Sequence, residues 1–79
     1  MPNGYLSDAK KRNNKIKKLI KSYMALREMS QADVARKMGK TQQWFSYNLN
    51  QASFSLSEIV ALGQILEIDW SQLGRILNE

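Results

Sequence analysis

The chain has 79 residues, 43% of them apolar and 24% charged, enough for one domain with one small core and too apolar for a disordered chain. It has no cysteine and no histidine, which removes disulfides, the usual metal sites and the common nucleophile–base pairs. The net charge of +5 is unevenly spread: Lys10, Lys11, Arg12, Lys15, Lys17, Lys18 and Lys21 fall in an acid-free stretch, whereas Arg75 is the sole base from Thr41 onward, and such asymmetry suits a polyanionic partner.

Along the chain, Pro2, Asn3 and Gly4 mark residues 1–6 as a loose terminus. Residues 1–12 read as a flexible or partly helical basic segment ahead of a single domain over 13–79. Ile16, Leu19, Ile20, Tyr23, Met24 and Arg27 recur at helical spacing, predicting a first helix over about 13–27, with Ser7 as an alternative, earlier start. Three later starts carry cap chemistry: Ser30 with Asp33, Ser55 with Glu58, and Asp69 with Gln72 each resemble a capping box. Thr41 is a further cap, and Gly39 suits the left-handed end of a helix. The expected helices are therefore 31–38, 42–50, 56–66 and 70–77. With no strand signal, the fold class is all-α, a compact bundle of five helices.

The stretch Ser30–Leu49, SQADVARKMGKTQQWFSYNL, places two short helices across a glycine-containing turn. Val34, Ala35 and Met38 share one face of the first, and Phe45 and Leu49, four apart, share one face of the second. This is the layout of a helix-turn-helix, whose second helix enters the DNA major groove. With Phe45 inward, Gln43, Ser46, Tyr47 and Asn50 turn outward, and Gln42 stands at the helix tip.

At these residues, and in the five-helix pattern ending IDWSQL, the sequence resembles the phage repressor and Cro family within the lambda-repressor-like group. The matching features are Gln31–Ala32, Ala35, Gly39 and Thr41–Gln42–Gln43, and the resemblance spans about Ile16 to Leu77. It implies base contacts from Gln42 and Gln43; a glutamine amide can pair with both edge atoms of adenine. From helix geometry Ser46 and Tyr47 are further groove candidates, weighed against plain exposure. Gln31 opens a helix whose N–H groups and positive end can hold a phosphate, and Lys40, Thr41 and Asn50 flank the second helix as further backbone candidates. Trp44 stands at the edge of the buried stripe. Trp70, Leu73, Ile76 and Leu77 either cap the core or form a two-fold interface, and relatives of this length commonly dimerise through this region.

The sequence departs from the family at Lys40, at Asn48 and in the uncharged loop Asn50–Ser55, where many relatives carry a base. A family ion pair between the first and third helices is replaced at both positions at once, by Met24 and Leu49. Such a double change keeps a contact that a single change would leave as a buried, unpaired charge.

No apolar run reaches a membrane span or serves as a signal peptide, and a cytoplasmic, nucleoid-associated protein is the expectation. The expected partner is a double-stranded DNA operator, with no metal, cofactor, small-molecule substrate, membrane or catalysis. A weak or DNA-assisted homodimer is the favoured assembly, and a partner repressor protein is the other candidate. A second reading stays open: a helix-turn-helix protein that acts mainly by binding another regulator, as an antirepressor, a modulator of repression or an antitoxin.

Overall fold

A computed structural model describes the backbone of residues 3–78 and the side chains of residues 11–78. These residues are all-α: α1 (Asn3–Leu26), α2 (Gln31–Met38), α3 (Gln42–Gln51), α4 (Leu56–Leu66) and α5 (Trp70–Leu77). The bounds of α2, α4 and α5 are those expected from sequence, and α3 runs one residue further.

The first helix departs most from expectation. It starts at Asn3, so residues 3–6 are not a loose end, and Ser7 lies inside the helix rather than at its cap. Met1 and Pro2, the rest of that expected loose end, lie outside the described residues. At 24 residues α1 is about 36 Å long, close to the 41 Å long dimension of the molecule. Among the described side chains, its buried apolar anchors are Ile16, Ile20 and Met24. The radius of gyration of 12.8 Å exceeds the roughly 11.6 Å of a compact chain of this size, in keeping with so long a helix.

The core draws on all five helices: Ile16, Ile20 and Met24 from α1, Val34 and Ala35 from α2, Phe45 and Leu49 from α3, Ile59, Leu62 and Leu66 from α4, and Leu73 from α5. Phe45, Leu49 and Leu66 are wholly inaccessible. Met24 and Leu49 are both buried in this cluster.

Local chemistry sets the helix starts. Ser30 and Asp33 form a full capping box, as do Ser55 and Glu58, each satisfying two backbone donors. Thr41 Oγ1 accepts the Trp44 N–H at 3.0 Å. The box expected at Asp69 is absent. Asp69 Oδ1 instead accepts both the N–H and the hydroxyl of Ser71, at 3.0 and 2.7 Å. Gln72 turns away because its Oε1 accepts the Tyr23 hydroxyl from α1 at 2.7 Å. No described helix is long and apolar enough to cross a membrane.

Candidate nucleic-acid interface

The α2–α3 pair is the most extensively packed pair of helices. Fully buried Val34 and Ala35 on α2 meet the core shared with Phe45 and Leu49 on α3. Ala35 keeps the helices close because it adds almost no side-chain volume. Gly39, at φ 73°, ends α2, and the Lys40 N–H closes on the Ala35 carbonyl at 2.9 Å. An L side chain resists that left-handed geometry, which glycine adopts freely.

This packing decides what α3 presents outward. Gln42, Gln43, Tyr47 and Asn50 are exposed, and Ser46 is half-buried at the edge. Tyr47 is 65% exposed despite its ring, so the core does not use it. The expected outer face is thus brought together, in the order Gln42, Gln43, Ser46, Tyr47 and Asn50. Lys40 and Thr41 are exposed just before it.

Trp44 is half-buried, as its edge position implies. Its ring lies 5.9 Å from that of Phe54, which also stacks against Phe45. The Lys40 ammonium sits over the Trp44 ring at 5.1 Å, which holds the cation beside the start of α3.

Asn48 ties α3 to the following loop. Its Nδ2 donates to the Trp44 carbonyl at 2.9 Å and its Oδ1 accepts the Ser53 hydroxyl at 2.8 Å. The Asn50 carbonyl accepts a hydrogen bond from the Lys17 ammonium of α1 at 3.3 Å. No pattern along the chain announces this contact, which joins residues 33 apart.

At the α2 start, Gln31 is half-buried, and the helix end already has an anion of its own. The Asp33 carboxylate is held at about 2, mainly by the Ser30 N–H and then by Arg36, whose Nη2 lies 2.6 Å away. That carboxylate occupies the electropositive end where a phosphate was expected to sit beside Gln31.

The four residues expected to share an interface on α5 divide. Leu73 is 3% exposed and belongs to the core, so it is not available to a partner. Ile76 and Leu77 are half-buried against the core, and Trp70 is 50% exposed. Sequence reasoning missed three other exposed apolar residues: Leu26 at the end of α1, and Leu56, 66% exposed, and Val60, 40% exposed, on α4. The latter two form a set. With Gly63 they follow one flank of α4 at helical spacing, and the Trp70 ring lies over Gly63. The signal was the spacing itself, masked because α4 is apolar nearly all round.

Among the described residues no group of histidine, cysteine or carboxylate side chains could hold a metal ion. Comparison of the chain with models of known protein families, with curated proteins and with solved structures gives no match. The family resemblance therefore rests on the residues of the α2–α3 stretch and on the helix pattern around it.

Proposed function

We propose that the chain is a sequence-specific, non-catalytic DNA-binding regulator of transcription, in which α2 and α3 act as a helix-turn-helix and α3 enters the major groove. One observation carries this reading. The first turn of α3 presents Gln42 and Gln43 to solvent, while the same helix is pinned from behind by wholly buried Phe45 and Leu49. A rigid helix with free amides at its leading end suits base-edge recognition, since each amide offers a donor and an acceptor. Tyr47 and Ser46 line the next turn of that face. Lys40 and Thr41 stand where they can hold a phosphate, and the basic N-terminal half of the chain adds long-range attraction.

Selection of bound duplexes from a random pool, followed by binding titrations at fixed salt, tests the reading. Gln42→Ala or Gln43→Ala is expected to cost about 1–3 kcal/mol on the selected duplex and much less on random DNA. Lys40→Ala is expected to weaken both similarly, because a phosphate contact carries no sequence information. If the ratio of specific to nonspecific affinity survives both glutamine changes, α3 does not read bases through them.

The exposed flank of Leu56, Val60 and Trp70 supports a protein contact in addition, either with a second copy on a two-fold operator or with another regulator. Sedimentation with and without the selected duplex separates these. Two copies on half-sites about one helical turn apart support the dimer. A shift seen only when another regulator is added supports the second reading.

A further inference from the structure

The loop after α3 carries no charge from Asn50 to Ser55, and α3 has no base in its last turn. The C-terminal end of a helix bears a partial negative charge, which repels phosphate. A recognition helix built this way would meet the DNA backbone poorly at its trailing end. Lys17 of α1 changes that balance. Its ammonium is 3.3 Å from the Asn50 carbonyl, beside the last turn of α3. Lys17 is half-buried as a residue, and its ammonium reaches the Asn50 carbonyl at an exposed edge, open to a ligand. An ammonium has three donors, and the Asn50 carbonyl uses one.

We propose that Lys17 is a phosphate contact at the trailing end of α3, supplying from α1 the cation that the α3–α4 loop lacks. The inference rests on the DNA-binding reading above and names the backbone partner of that surface. With Lys40 before the leading end, it gives α3 a held cation at each end. The helix has 10 residues and so is about 15 Å long, against a major groove about 12 Å wide. A helix of that length in the groove brings both ends within reach of the phosphate rows that wall it. Asn14 and Lys21, three residues before and four after Lys17, are exposed on the same flank and extend the polar strip along α1. No acidic residue occurs between Lys10 and Lys21 to cancel it.

The neighbouring Lys18 is the internal control. It has the same charge and is exposed, but a helix turns about 100° per residue, which points Lys18 directly away from the Ile16–Ile20 face. The experiment titrates the full chain with a fluorescent random-sequence duplex of about 30 base pairs, roughly three helical turns, over a range of salt. Lys17→Gln is expected to weaken binding roughly 5- to 10-fold near 100 mM salt and to reduce the slope of log affinity against log salt by about 0.9, one phosphate. Lys17→Arg is expected to keep the slope, and Lys18→Gln to change it by less than half as much. Equal effects of Lys17→Gln and Lys18→Gln would mean diffuse attraction and overturn the proposal while leaving DNA binding intact. So would weaker binding with an unchanged slope and a lowered melting temperature, since that is a folding defect. If the unaltered chain binds no duplex even at low salt, the proposal and the DNA-binding reading fall together.

Discussion

Between α2 and α3 the chain reverses on Gly39; between α4 and α5 it reverses on Glu67, and both residues are left-handed, at φ 73° and 54°. The first reversal is closed by its own neighbours. Gly39 adopts the conformation without strain, the Lys40 N–H returns to Ala35, and Thr41 caps the next helix. The second has the same local closure, with the Ile68 N–H on the Gly63 carbonyl at 2.9 Å and Asp69 capping α5, but it is also held from outside. Arg27 of α1 donates from Nε to the Leu66 carbonyl at 2.8 Å and from Nη2 to the Glu67 carbonyl at 2.9 Å. The Tyr23 hydroxyl accepts the Asp69 N–H at 3.3 Å. A self-sufficient turn leaves its outer surface free for a ligand, whereas a turn clamped by α1 is committed to the fold. Exposed Gln42 and Gln43 follow the first turn; exposed Gln72 follows the second, but its amide oxygen is taken by the Tyr23 hydroxyl of α1.

The largest losses are expected where α1 meets the core. Met24→Arg or Leu49→Glu alone is expected to cost at least about 3 kcal/mol by burying an unpaired charge. The double change recovers much of that loss if the two side chains touch, and strictly additive losses in a thermal double-mutant cycle would separate them.

Next in size is the clamp. Arg27→Ala is expected to destabilise by about 1–2 kcal/mol, because charged donors to two carbonyls are lost at a partly exposed site. Amide hydrogen exchange should quicken around residues 66–70 and hardly change around 39–41. Equal quickening at both turns would erase the distinction drawn between them.

The two reversing residues should respond with opposite signs. Gly39→Ala is expected to destabilise by about 1 kcal/mol, and Glu67→Gly to relieve up to about the same amount, both read by thermal melting.

Acid sharpens the contrast least but adds a direction. Asp33 sits at about 2 against an ordinary 3.8, so its contribution is full above 3.8 and is lost as pH falls through that value toward 2. Asp69 is also lowered, chiefly by the Ser71 hydroxyl, so it loses its contribution in the same direction. Asp33→Asn should flatten the acid limb of the melting curve; an unchanged limb would exclude Asp33 from it.

Where local chemistry decides, the sequence was legible. The starts of α2 and α4 follow from Ser30 with Asp33 and Ser55 with Glu58, and the outward set on α3 follows from Phe45 and Leu49. The start of α1 was not legible, because a polar, lysine-rich stretch has helix-forming residues but no apolar period and no clear cap. The Asp69–Gln72 box failed for a tertiary reason: Tyr23, 49 residues away, takes Gln72. The Lys17 contact at the end of α3 and the exposed flank of α4 depend on how helices pack against one another, which periodicity within one helix does not reveal.

The chain has two tryptophans, and the fold gives one to each region. Trp44 lies beneath the Lys40 ammonium at the head of α3, and Trp70 lies across Gly63, where an added Cβ would come within 2.8 Å of the indole. The molecule therefore carries two intrinsic optical reporters with separate jurisdictions. Emission from a Trp70→Phe variant would follow events at α3, where drawing Lys40 toward a phosphate would alter the charge above the ring. Emission from a Trp44→Phe variant would follow coverage of the α4 flank, where half of the Trp70 surface meets water. Occupancy of one surface and of the other could then be timed separately in matched solutions of the two variants, with no attached dye.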